Sequence, residues 1–583
     1  MTTEDRIPGI LAKILVHQNS NDELFERMES DFDLLALTPF EPEEQDLNAY
    51  TSPAPLNYFN KIVDGLSRAQ LTIQIKQGSE ATEEDRRAAS LGEQFIFGGL
   101  HAIDRRLGNM GEPPLRDQMN FHVAARGWYA VRGLVYTPEG KDQLVFDFMP
   151  WDVMHMAWEV GPNGLIWAAY QYEMTASQAK DAYDEEINGE TVTVTDYWDT
   201  EQNGVIIKDH WGKGLTDHNI GHVPVLVGKV GSMPSIIRRD NVETTTHLQG
   251  ESVWGASRGI YEHKNRYTSW IMDLAKNAVA GSIIHESTSG TKKLANNPYL
   301  TYTEIQLSTS EEERIYPLEL PKMPAEFNAV INLVDSDEQQ ATLPAPLAYG
   351  GIEGELSGRA IEYLSEATRS QYSPRTEAMA RIYTWISEEM IAQFKKKGQR
   401  KPAKVSGYTG EGEFFQVTVK PGDVDAGWFV AVSVEPRLPR DREQELRSAQ
   451  IATADTGSGP IMSMATAREE LVHLRDPDAE ADKILVETGE RLEPIQIANI
   501  AAALDDRGKP ELAEQVRALS APSPAGAGGS PPSPSGAEGG SPPPLPPELI
   551  EAVVQGLVES GQQELAQAFV GVIQQSMGEQ GAM

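Results

Sequence analysis

Residues 251–397 constrain the fold most, because three helical runs there are separated by two very different kinds of interruption. The first run, 251–281, contains no proline, and Ile260, Tyr267, Ile271, Leu274 and Ala278 recur at helical spacing. At ~1.5 Å per residue it predicts a helix roughly 45 Å long. Short extended pieces follow over 282–323, with Lys292 and Lys293 in a turn-rich stretch. A second helix is expected over 324–341 from Phe327, Val330, Ile331 and Val334. Residues 342–356 then form a loop rich in proline and glycine, carrying Leu347, Tyr349, Gly350, Gly351, Ile352 and Glu353. The longest helical pattern spans 357–398, with Ser357 as N-cap and Lys395-Lys396-Lys397-Gly398 as a favourable end. Pro374 should kink or split it.

The rest of the chain divides by pattern. Residues 5–36 read as short helices, with Leu24, Phe25, Met28, Phe32 and Leu35 on one face. Tyr50–Tyr58, holding Pro53 and Pro55, reads as a linker, and 81–107 as a strong amphipathic helix. Between 128 and 230 the pattern turns to short strands rich in aromatic and β-branched residues, broken by a small helix from Thr175 to Tyr183. Asn203-Gly204 suits a hairpin turn between two of them. Strands are expected again over 413–435 and helices over 440–518. From Ser520 to Pro547 every residue except Glu538 and Leu545 is Ala, Pro, Ser or Gly, a composition that cannot bury a core. Glu548–Met577 is amphipathic, a detached helix in need of a partner surface. The fold class expected is α+β.

A chain of 583 residues is too long for one compact core. It has no cysteine, which excludes disulfides, thiolate nucleophiles and cysteine-ligated metal sites. The acidic start does not read as a secretory signal. No run of about eighteen apolar residues suggests a membrane-spanning helix. With 50 Lys+Arg against 87 Asp+Glu the formal charge is −37, so the surface as a whole cannot attract nucleic acid by counterion release.

Catalytic signatures are missing: no phosphate-binding Gly-Lys-Ser/Thr loop, no Gly-x-Ser-x-Gly and no His-Glu-x-x-His. His218 and His222 are four apart, but Gly221 and Pro224 point to a loop rather than to a metal-binding helix. His155, beside Trp151 and Trp158, reads as a partly buried strand histidine. The aromatic residues between 128 and 211 could form a stacking platform, but they alternate with aliphatics as core residues do. No cofactor and no enzymatic activity are expected.

The order of parts over 251–398 resembles tailed-bacteriophage portal proteins. It is a long helix opening with Glu251-Ser-Val-Trp-Gly-Ala-Ser-Arg-Gly-Ile-Tyr, a short-stranded excursion, a returning helix, a Gly/Pro loop, and Glu355-Leu-Ser-Gly-Arg-Ala-Ile-Glu-Tyr-Leu opening a very long helix. Gly127-Trp128 and Met149-Pro-Trp-Asp-Val upstream look like the portal wing, and 457–482 is similar to the helical region that follows it. The resemblance spans roughly residues 20–500.

It implies an N-terminal α/β wing (1–250), a stem helix (251–281), a clip (282–323) and a second stem helix (324–341). A tunnel loop (342–356), a long wing helix (357–398), wing strands (399–439) and a helical crown (440–519) would follow, ahead of the linker and terminal helix. It further implies a ring of twelve copies at one capsid vertex, conducting double-stranded DNA during packaging and ejection. Its partners would be terminase, the major capsid protein and tail adaptors. The setting would be the virion, with assembly in the host cytoplasm. Leu347–Glu353 would then touch DNA, and Lys292 and Lys293 would face DNA or a docking partner. Trp254, Trp270 and Met272, which fall off the main stripe of their helix, are candidates for intersubunit packing or for contacts within the chain. In a conduit, acidity fits weak attraction for sliding DNA. Another acidic virion or scaffold subunit, or a carbohydrate-active enzyme, are the alternatives.

Overall fold

The computed structural model describes residues 6–42, 48–78, 82–138, 140, 143–186, 189–231, 233–234, 243–279, 283–288, 307–308, 312–317, 325–343, 358–396, 401–410, 412–436, 442–454 and 462–468, with isolated positions beyond. The chain divides into two units, the first ending at Asp482. In the second, Ala501 and Val516 are buried. The first unit is a mixed helix and strand structure.

Its helices and strands run α1 (Ile7–Ser20), α2 (Asp22–Ala36), α3 (Ala54–Arg68), β1 (Gln70–Lys76), α4 (Glu83–Asn109), α5 (Leu115–Phe121), β2 (Trp128–Tyr136), β3 (Val145–Trp151), β4 (Met156–Gly161), β5 (Gly164–Thr175), α6 (Ala176–Tyr183), β6 (Thr191–Asp199), β7 (Gln202–Ile207), β8 (His210–Asp217) and β9 (Val225–Lys229). After these come α7 (Arg258–Val279), β10 (Ile283–Glu286), β11 (Arg314–Pro317), α8 (Ala325–Ala341), α9 (Gly358–Lys396), β12 (Ala403–Tyr408), β13 (Phe414–Val419), β14 (Phe429–Glu435) and α10 (Arg442–Thr453).

The main core is organised by α4 and α9. A reciprocal cap starts α4: Thr82 accepts from the Asp85 N–H, and the Asp85 carboxylate accepts from the Thr82 N–H at 2.8 Å. Phe95, Ile96, Ile103 and Leu107 of α4 and Ile382, Ile386, Met390 and Phe394 of α9 are all buried. The rings of Phe95 and Phe394 stack at 4.7 Å. Against these helices lie the antiparallel pairs β1–β14 and β12–β13 and the three-stranded sheet β3-β2-β9. Gly98 lets α4 approach β12 closely, since a Cβ there would sit 2.6 Å from the Cβ of Val405. A second sheet is the antiparallel meander β4-β5-β6-β7-β8. The apolar side of α1, Ile7, Ile10 and Ile14, covers Ala157, Trp167, Ala169, Tyr197 and Ile206 of that meander.

Several local expectations change. Pro53 and Pro55 stand at the start of α3, where the missing N–H costs nothing, so Tyr50–Tyr58 is not a linker. Asn203 and Gly204 lie inside β7. The turn between β7 and β8 is instead made at Lys208, at φ +57°. β1 falls where no strand is expected, whereas β12 lies inside the stretch 399–439 expected to hold strands. The helix expected from residue 251 begins at Arg258, the residues before it forming turns. Helix α9 runs unbroken through Pro374. His155 is exposed at the end of a short 3-10 turn.

Candidate functional site

The α7–α8 hairpin stands out because it is rooted by buried polar contacts yet carries apolar side chains facing outward. Its root is the segment 249–258. The Glu251 N–H donates to the Val230 carbonyl and the Val253 N–H to the Ala124 carbonyl, at 3.1 and 2.9 Å. Gly127, at φ +67°, is required beside this segment, for a Cβ would lie 2.6 Å from the backbone of Glu251 and Ser252. Arg375 of α9, 3% exposed, donates to the carbonyls of Ser252 at 2.6 Å and Glu251 at 3.0 Å. Trp254 is fully buried, stacked 5.4 Å from Phe59, and its Nε1–H reaches the Pro55 carbonyl at 3.2 Å. Arg258 closes the root with a two-pronged contact to Asp31 on α2.

Above the root, one flank of α7 is covered by the residues that lead into α3. The Ser52 N–H donates to Asn265 Oδ1 and the Tyr50 N–H to Ser269 Oγ, both at 2.9 Å, and Asn48 donates to Asp273. A second flank meets α8. Lys264 reaches Glu338, and Asp335 at 3.2 Å, while the Tyr267 and Phe327 rings meet edge-on at 5.7 Å. Burial works to lower the Lys264 ammonium, but the two carboxylates outweigh it and hold it above its ordinary value. The antiparallel pair β10–β11 sits between the two helices in the chain, with the Tyr316 hydroxyl donating to Glu286 at 2.5 Å.

The outward surface of the hairpin is apolar at several points. Trp270 (37%), Met272 (46%), Val330 (38%) and Leu333 (59%) are exposed. Single exposed apolar residues are ordinary on a protein surface, and these four are spread over two packed helices, Trp270 and Met272 on different sides of α7. Of the three residues expected at subunit contacts, Trp270 and Met272 are therefore available, whereas Trp254 is spent inside its own chain. Lys292, Lys293, Leu347, Tyr349, Gly350, Gly351, Ile352 and Glu353 lie outside the described residues, as do Ser357 and the segments 520–547 and 548–577.

The other sequence candidates resolve into structural roles. His218 Nε2 donates to the Asp199 carbonyl at 2.9 Å, and its Nδ1 accepts from the Ile220 N–H at 3.1 Å. His222 instead contacts Glu389 of α9 at 3.0 Å, so the two imidazoles do not converge. Among the described residues no three side chains gather as metal ligands. Trp128, Trp151, Trp167 and Trp198 are buried in core clusters of the two sheets, as core residues are. Among the described residues no helix is long and apolar enough to cross a membrane.

No protein-family model matches the chain, and no curated protein matches it. Among solved structures, a chain from the neck of a native GTA particle computed with C12 symmetry is 12% identical, with a TM-score of 0.37, covering 72% of this chain and 89% of that one. A chain from the neck of an empty GTA particle computed with C6 symmetry is 13% identical, with a TM-score of 0.38, covering 73% and 90%. These similarities are loose and do not assign a family.

Proposed function

We propose that the chain is the subunit of a closed homo-oligomeric ring in a tailed-phage-like particle, acting as its portal and passing double-stranded DNA without chemistry of its own. The observation that carries this reading is the α7–α8 hairpin. Its base is held by buried contacts of Trp254, Arg258 and Arg375, and its flanks leave Trp270, Met272, Val330 and Leu333 uncovered. In a heterologous ring each subunit offers two different flanks, one to each neighbour, and the outward residues of two adjacent helices supply them. The resemblance in element order over 251–398 implies twelve copies, terminase as the motor, and capsid and tail adaptor proteins as further partners. Acidity agrees with a conduit, because a formal charge of −37 leaves the surface with little hold on phosphates.

The test is to place charges on the hairpin without touching its root. A Trp270→Glu, Leu333→Lys variant should keep the melting temperature of the parent yet sediment as a monomer or small oligomer. Ring-sized particles at parental yield would remove the hairpin from the interface.

A further inference from the structure

A cavity of about 330 Å³ lies where α4, α9, the starts of α5 and β1 and the end of β12 meet. No residue of the α7–α8 hairpin belongs to its wall. Tyr383 of α9 lines it and is 4% exposed. The Tyr383 hydroxyl bonds to none of the described residues, yet it is not sealed from solvent, so the surface that Tyr383 keeps includes that hydroxyl. It therefore opens into the cavity. Charged groups gather around it: burial raises the phenol, the Arg116 guanidinium lowers it, and the carboxylates of Asp104 and Asp117 raise it. Arg116 is turned to the carbonyls of Leu66, at 2.8 Å, and Ala69. Asp104, one turn beyond His101 on α4, spends Oδ1 on the Leu115 N–H at 2.9 Å. Its Oδ2 has no bonded partner among the described residues and is open in the same way, as is the imidazole of His101. Phe97, Leu100 and Tyr408 supply apolar wall, the Tyr408 ring meeting His101 edge-on at 5.7 Å. Buried polar groups nearly always find a partner, so three unused ones on one cavity wall call for a ligand that supplies it.

We infer that this cavity binds a small uncharged polyhydroxylated molecule, a sugar or polyol, through Tyr383 Oη, Asp104 Oδ2 and the His101 imidazole. A phenol and a neutral imidazole both donate and accept, while a carboxylate accepts, which suits a ligand whose polar groups do both, as hydroxyls do. The wall carries one charge of each sign, Asp104 and Arg116, so it favours neither a cation nor an anion over a neutral molecule. Phe97, Leu100 and Tyr408 offer a surface for the C–H face of a sugar ring. A few placed polar groups in a largely apolar wall are the usual make-up of a small-molecule site, and the volume is at the small end of that range. Asp104 gives the strongest bond, because hydrogen bonds to a charged group exceed neutral ones. This inference does not depend on ring formation.

The experiment titrates the full chain with D-glucose, D-mannose and myo-inositol, read by saturation-transfer NMR, with acetate and ethylammonium as charged comparators. Melting temperature is not the readout, since sugars stabilise folded proteins by exclusion from their surface. At least one of the three should bind saturably in the millimolar range, and more tightly than either ion. Tyr383→Phe removes the hydroxyl alone and should weaken that binding about fivefold. Asp104→Asn can still accept from the Leu115 N–H and should weaken it about tenfold or more. It decides the matter if Tyr383→Phe fails to fold. No saturable binding of the three, parental affinity in both variants, or tighter binding of acetate or ethylammonium would each overturn the assignment.

Discussion

Arg258, the first residue of α7, grips Asp31 of α2 through Nε at 2.6 Å and Nη2 at 2.8 Å, with the carboxylate wholly buried. A buried charge is tolerated when its partner satisfies it in this geometry, and removing one member strands the other. Here the pair joins the N-terminal helices to the first helix of the hairpin, so the cost of breaking it falls at the point where the hairpin leaves the body.

Asp31→Asn should destabilise the fold by about 3 kcal/mol, the low end for a broken buried pair because Arg258 is 32% exposed. The double variant Asp31→Leu, Arg258→Met should lose less than either single change. Chemical denaturation of the four proteins checks this, and additive losses would contradict it.

Trp254→Ala should cost about 3–5 kcal/mol, because it empties a fully buried site stacked on Phe59. The change acts within one chain. At a temperature where the variant is folded, its assembly should match the parent; a specific loss of assembly with unchanged melting would place Trp254 at a subunit contact after all.

Acid should loosen α1 through His17. Burial lowers this imidazole from 6.5 to about 4, where it packs 4.3 Å from the Trp158 ring. Its folded value lies below its unfolded one, so the unfolded chain binds the proton first. Stability is therefore fully present above about 6.5 and is lost as the pH falls towards about 4. A His17→Phe variant should show a shallower decline over that window, measured by melting temperature against pH. Parallel curves for parent and variant would exclude His17 as the cause.

Much of this arrangement is written in local pattern. The helices α4, α8 and α9 follow from apolar spacing, and α6 from Thr175, whose hydroxyl accepts from the Gln178 N–H. What local pattern could not reveal is pairing across the chain. The alternation of Leu71, Ile73 and Ile75 is visible in β1, but its partner β14 lies far along the sequence, where Val430, Val432 and Val434 complete the ladder. Proline misled at Pro53 and Pro55 because the first turn of a helix accepts what its interior rejects. The root of the hairpin was likewise hidden. Trp254 carries a helix-compatible neighbourhood, and only the approach of Phe59 and Pro55 makes it a plug.

The central claim is a closed ring built from these subunits, and imaging tests it most directly. Electron micrographs of the purified full chain should show closed rings with a central channel wide enough for a DNA duplex, and class averages should give one dominant copy number. Uniform monomers or dimers at the same concentration, with the chain folded, would contradict the account.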